Sequence, residues 1–145
     1  MNPLTRRNIL LSIILAGILG LFASGYLTYQ KYDPALNSEI CTIGNIDGCS
    51  VVNTSRYSAI FGIPAGIWGM IWFAVLLYLA AKCWRREWWA RELLSWTIIG
   101  SVFVMYFIIA EIKLLTLCMY CTLVHVLVLV SLVLAVVFYR KMRMN

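Results

Sequence analysis

The sequence predicts an all-α membrane protein: a four-transmembrane-helix bundle with a short amphipathic capping helix in the first outer loop. Three observations predict it. The 145 residues are 63% apolar and only 12% charged, with a mean hydropathy of +0.87, which is too apolar for a water-soluble globule. The apolar residues gather into four windows, at about 9–29, 63–81, 93–117 and 121–139, each near the ~20 residues a helix needs to cross a ~30 Å hydrocarbon core. Finally, nine of the twelve lysines and arginines fall where the chain must lie on one side of the bilayer.

Those nine are Arg6 and Arg7, then Lys82, Arg85, Arg86 and Arg91, then Arg140, Lys141 and Arg143; only Lys31, Arg56 and Lys113 lie toward the other face. The positive-inside rule then places both termini and the 82–92 connection in the cytoplasm and the 30–62 connection outside. The expectation is a single membrane domain, 1–145, in the cell membrane, or in the endoplasmic reticulum membrane with lumenal cysteines in a eukaryote. The net charge of +6 is thereby a matter of topology, and nucleic acid is not an expected partner.

Taken in order, residues 1–8 read as a short basic tail. The window at 9–29 follows two arginines as a secretory signal would, but its length and its aromatic end, Tyr26 and Tyr29, mark a retained helix. Gly17, Gly20 and Gly25 suit close helix packing. The segment 30–62 is the one long polar stretch and the natural docking face. Within it, seven residues separate Cys41 from Cys49, with Gly44 and Gly48 for turn freedom, so the loop can close into a disulfide. Over 50–60, Val51, Val52 and Ile60 lie among Asn53, Thr54, Ser55 and Arg56. That mixture fits an amphipathic helix lying on the membrane surface and capping the bundle, or equally a surface loop covering helix ends.

Pro64 suits the start of the second span. Gly66 and Gly69, beside Trp68 and Trp72, either pack against a neighbouring helix or open space for a flat ring. In the 82–92 connection, Trp84, Trp88 and Trp89 fit an interfacial aromatic belt, and Cys83 reads as a plain interfacial residue. The third span ends with Glu111 and Lys113. Snorkelling to the interface accounts for both, and proton delivery by Glu111 is the alternative.

Cys118-Met-Tyr-Cys121 then opens the fourth span. Two thiols at this spacing at a helix start lie about one turn apart, close enough to bridge, and the helix N-terminus favours the thiolate that attacks disulfides. The same spacing also serves a zinc half-site or an inert disulfide. With the orientation above, Cys41, Cys49, Cys118 and Cys121 all face outward and Cys83 alone faces the cytoplasm. This is the sorting expected of thiol chemistry coupled to an oxidising compartment. His125, four residues after Cys121, falls one turn deeper on a similar face. It can hydrogen-bond a ligand carbonyl beside the thiols, or be satisfied by another helix. No phosphate-binding loop is present, and no metal site beyond the cysteines is expected.

Cys41 with Cys49, the run Cys49-Ser-Val-Val-Asn-Thr-Ser55-Arg-Tyr followed by Phe61-Gly-Ile-Pro64, and Leu117-Cys118-Met-Tyr-Cys121 at the last helix together cover essentially the whole chain. In that order they resemble the vitamin K epoxide reductase family of membrane thiol oxidoreductases. The other well-known bacterial quinone-linked oxidases place their Cys-x-x-Cys in the first outer loop, the opposite order. The resemblance implies a four-helix bundle around a quinone. Cys41 and Cys49 become the shuttle pair, Cys118 and Cys121 the quinone-facing pair, and Ser55 the serine that helps hold the cap. A partner thiolate attacks the outer disulfide, Cys49 attacks Cys118, and released Cys121 passes electrons to the ring.

Vertebrate members carry a ring-binding asparagine where this chain has Ala65, and a tyrosine where it has His125. A membrane quinone of ubiquinone or menaquinone type is therefore the expected acceptor, as in prokaryotic members, rather than vitamin K epoxide. Some members carry a fused thioredoxin domain. This chain stops at Asn145, so a separate thioredoxin-like protein is the expected partner. The competing readings are a structural or zinc-binding four-helix membrane protein with static cysteines, and a quinone-binding subunit whose disulfides only brace the cap.

Overall fold

The termini of the long helices are set by identifiable local chemistry, and those termini build both ends of the bundle. In the computed structural model, residues 3–32, 42–43 and 46–144 are described. Helix α1, Pro3–Tyr32, begins at a proline whose missing N–H is tolerated in a first turn. Residues 3–8, expected as a basic tail, are thus the helix's first turns, because Arg6 finds partners there. Its guanidinium donates to the carbonyls of Cys83 and Trp84, 2.9 Å each, and Nε lies 3.2 Å from Glu87 Oε1. Those carbonyls end helix α3, Ala65–Arg85, where a cation offsets the helix dipole.

A 3₁₀ turn, Glu87–Trp89, leads into helix α4, Ala90–Leu114. The apolar window at 93–117 outlasts this helix because Leu115 turns left-handed at φ 49° and its N–H bonds back to the Ile112 carbonyl at 3.2 Å. Helix α5, Met119–Arg143, starts with Cys118 as its N-cap. Among the described residues, four helical segments are long and apolar enough to cross a membrane: α1, α3, α4 with its preceding 3₁₀ turn, and α5. The protein is an all-α, multi-pass membrane bundle.

α1 packs against α3 and α5, and α4 against α5 and α3. Phe73, Leu76, Leu93 and Phe138 are fully buried at the centre. Small residues make the approach possible. A Cβ on Gly20 would enter the Phe73 ring, and one on Gly69 would come within 2.6 Å of Ser24 Oγ. α3 and α4 are joined by a reciprocal pair: Trp72 Nε1 donates to the Trp96 carbonyl (3.4 Å) and Trp96 Nε1 to the Trp72 carbonyl (3.1 Å). Cys83, expected at the interface, is instead buried in this core under Arg6.

The cap between α1 and α3 holds strands β1, Thr42–Ile43, and β2, Ile46–Asp47, paired antiparallel. Helix α2, Gly48–Thr54, follows, then a 3₁₀ turn, Arg56–Ser58, and the antiparallel hairpin of β3, Ala59–Ile60, and β4, Ile63–Pro64. The capping helix is shorter than the expected 50–60 and takes in Cys49. It stops because the Ser55 hydroxyl donates to the Val52 carbonyl (2.7 Å) and accepts from Tyr57 N–H (3.3 Å), a side-chain competitor for helical bonding. The hairpin tip, Phe61-Gly62, has two positive φ angles, 54° and 78°, the geometry of a type I′ turn. Lys31 Nζ to Ser58 Oγ (2.7 Å) and Trp68 Nε1 to the Ile60 carbonyl (3.3 Å) tie this cap to α1 and α3.

Candidate active site

The cap helix and the start of α5 meet at sulfur. Cys118 Sγ lies 3.2 Å from Cys49 Sγ, within the ~3–3.5 Å of a near-attack geometry. Both side chains are fully buried, in a small apolar cluster with Leu27 of α1. Cys49 is held in a disulfide, whereas Cys118 and Cys121 are free thiols. Cys41 lies outside the described residues. Tyr120, inside the Cys-x-x-Cys, packs its ring 4.7 Å from that of Tyr26, which fixes the start of α5 against α1.

Cys118 is the thiol prepared for attack. Its pKa is lowered, chiefly by the hydrogen bond from the Cys121 side chain, which outweighs the opposing effect of burial; the Cys121 backbone N–H adds to the lowering. That N–H reaches Cys118 Sγ at 3.3 Å, so the sulfur occupies the N-cap acceptor position of α5, where partial positive charge favours a thiolate.

Below the sulfurs a cavity of about 130 Å³ opens between α1, α3, α4 and α5. Its walls are mostly apolar, and Ala65, Trp72, Glu111, Cys121 and His125 all contribute to it. Cys121 thus borders the cavity, and Cys118 faces Cys49. His125 is buried with its ring stacked on Phe107 at 6.3 Å and 20°, and among the described residues none hydrogen-bonds it. Gly66 and Gly69 do both things open to them: each packs on α1 and each lines the cavity. The Ser55 hydroxyl is engaged with its own backbone and does not line the cavity, although Tyr57 and Ser58 beside it do.

Glu111 does not snorkel. It is only 6% exposed, and among the described residues its Oε1 has no hydrogen-bond partner, an arrangement that costs about 1–3 kcal/mol. Lys113 is exposed. The signal was present in the spacing: two residues two apart on a helix point to nearly opposite sides, so only one of the pair can face outward.

Cys49, Cys118, Cys121, Ala65 and His125 are therefore gathered within the cap and the cavity beneath it. Together they join a disulfide, a low-pKa thiol and an apolar chamber in series. The sequence pattern that defines the vitamin K epoxide reductase family matches residues 11–136, which takes in the cap, the cavity lining, α3 and α4, and most of α1 and α5. The chain belongs to the vitamin K epoxide reductase family and is, with that family, a membrane thiol-disulfide oxidoreductase.

Proposed function

We propose that the protein oxidises a separate thioredoxin-like partner and passes the electrons through two cysteine pairs to a membrane quinone, so supporting disulfide bond formation. The observation that carries this reading is the 3.2 Å separation of Cys118 and Cys49 sulfurs. A thiolate and a disulfide sulfur set this close are positioned for exchange through a mixed disulfide.

In this reading Cys41 and Cys49 form the outer pair, in a domain 1–145 whose 30–62 connection faces the oxidising side and whose basic end faces the cytoplasm. A partner thiolate attacks the Cys41–Cys49 disulfide and frees Cys49; the partner's second thiol completes its own disulfide and releases Cys41. The Cys49 thiolate attacks Cys118, breaking the Cys118–Cys121 bond. Cys41 then closes on Cys49, leaving Cys118 and Cys121 reduced. Each step exchanges one S–S bond for another, and two electrons arrive at the inner pair. A disulfide at Cys49 beside free Cys118 and Cys121 is consistent with the state after this relay.

The cavity suits a quinone head. It is apolar and reached by Cys121, and the His125 ring borders it. A bound quinone supplies a two-electron, two-proton acceptor. Cys121 delivers the electrons, His125 offers its ring to a carbonyl oxygen, and the walls, Ala65 among them, exclude water. A disulfide-bonded Cys49 offers no thiolate to a metal, which weighs against a four-thiolate zinc site.

The test is quinone reduction by purified protein supplied with a reduced thioredoxin-like partner, comparing wild type with Cys121→Ala and Cys49→Ala, with metal content measured on the same samples. Turnover in wild type that is lost in both variants supports the relay. Variants that turn over like wild type, or stoichiometric zinc with an inert wild type, overturn it.

A further inference from the structure

Glu111 lies where the inner thiols meet the cavity, in the last turn of α4. It is buried and lines the same chamber as Cys121 and His125. The backbone N–H of Cys118 is directed at its carboxyl group, and its charge acts on both Cys118 and Cys121. One oxygen, Oε1, has no hydrogen-bond partner among the described residues. A buried carboxyl with an open oxygen beside a redox thiol can take a proton at that oxygen and give it up again. His125 and Tyr57 are the other titratable groups on this wall, but the His125 ring is stacked against Phe107, and neither thiol interacts with either of them as both do with Glu111. Lys113, the nearest cation on α4, faces away from the cavity lining.

We propose that Glu111 is the proton carrier of the inner pair: its carboxylate accepts the Cys121 thiol proton as the Cys118–Cys121 disulfide forms and hands it to the acceptor in the cavity. The proposal rests on the quinone reading above. Closing the disulfide breaks two S–H bonds, forms one S–S bond and releases two electrons and two protons. The electron pair leaves through Cys121 to the quinone. The Cys121 proton moves to Glu111 and then to one oxygen of the reduced ring. The Cys118 proton is lost to solvent as that thiol ionises, and the second ring oxygen takes a proton from solvent, so atoms and charge balance. Buried intramembrane carboxyls commonly mark proton routes. Here the route is short, because the carboxyl borders both donor and chamber.

The test uses the full-length protein in lipid nanodiscs as wild type, Glu111→Gln and Glu111→Asp. Glutamine keeps the shape and polarity but cannot carry the proton. Binding of a short-tailed benzoquinone is measured by calorimetry, and reduction of the inner pair by the reduced partner is followed without quinone. Oxidation of the pre-reduced pair by the same benzoquinone is followed in a single turnover. A time-resolved infrared difference spectrum recorded during that single turnover reports transient carboxyl protonation. The expected result is quinone binding and partner exchange within about twofold of wild type in Glu111→Gln, with oxidation slowed on the order of a hundredfold. A carboxyl signal present in wild type disappears in this variant, and Glu111→Asp recovers part of the rate. Wild-type oxidation rates in Glu111→Gln, or a persisting carboxyl signal, overturn the role of Glu111 and leave the quinone reading standing. A wild-type protein that neither binds the benzoquinone nor is oxidised by it overturns both.

Discussion

The sulfur of Cys118 rests 3.2 Å from that of Cys49, a residue 69 positions earlier in the chain. The contact joins the cap to the last helix inside a dry apolar cluster, so the two redox groups are held by packing and need no ligand to meet.

This contact predicts a trapped intermediate. In Cys41→Ser, Cys49 can attack Cys118 of the inner disulfide but no Cys41 thiol remains to close on Cys49 and carry the exchange forward. Non-reducing peptide mapping is expected to find a Cys49–Cys118 disulfide as the main linkage in Cys41→Ser and none in Cys118→Ser. Equal amounts of that linkage in wild type and Cys41→Ser would mean that Cys41 does not resolve it.

The second prediction concerns pH. The Cys118 pKa is lowered, first by the Cys121 side-chain hydrogen bond. A lowered pKa means the thiolate persists to lower pH than in an ordinary cysteine, which ionises near ~8.5. Ultraviolet titration of thiolate, taken as wild type minus Cys118→Ser, is expected to show its midpoint below that of a model thiol. The same difference measured in a Cys121→Ser background is expected to move upward, since the largest cause of the lowering is weakened. A midpoint indifferent to Cys121 counts against that hydrogen bond.

Packing at Gly20 gives the third. A methyl there enters the Phe73 ring, and Phe73 is fully buried, so Gly20→Ala is expected to destabilise the bundle by about 1–3 kcal/mol, the usual cost of overpacking. Phe73→Leu in the same chain is expected to return part of the loss. Thermal unfolding of the two single variants and the double variant checks the coupling.

The fourth separates two roles of one ion cluster. Arg6→Ala removes two charge-assisted bonds to carbonyls at the end of α3 and is expected to cost about 1.5–3 kcal/mol for the stronger of them. Glu87→Gln breaks only the Arg6–Glu87 pair, whose side chains are 28% and 53% exposed, and is expected to change stability by less than about 1 kcal/mol. Similar losses in both variants would make the ion pair, not the carbonyl bonds, the stabilising feature.

Filling the chamber is the fifth. Ala65 lines it at the start of α3, so Ala65→Phe is expected to weaken quinone binding about tenfold or more. Exchange between the partner and the cysteines is expected to continue at its normal rate. Loss of both functions would show that the chamber and the relay are not separable.

The long helices and the order of the cysteines were legible because each is a one-dimensional pattern: a run of apolar residues near the bilayer thickness, or a spacing of thiols. What escaped is what depends on a neighbour distant in sequence. Arg6 read as part of a tail because its partners lie 77 and 78 positions away. Cys83 read as interfacial because only the packing of α1 and α4 on α3 covers it. Glu111 lies close enough to a helix end for either exposure or burial, and the side it takes is decided by α5. Leu115 in a left-handed conformation has no residue signature at all, since glycine or asparagine is the usual choice at such a C-cap.

The Arg6 latch also orders the assembly of the bundle in time. A helix made early in synthesis is fastened by carbonyls made much later, so α1 enters the bilayer with a guanidinium whose partners do not yet exist. Its docking waits until α3 has been threaded and its last turn has cleared the insertion machinery. Formation of the 3.2 Å sulfur contact comes later still, because Cys118 follows α3 and α4 in the chain. A chain interrupted before that point carries the cap without its redox counterpart.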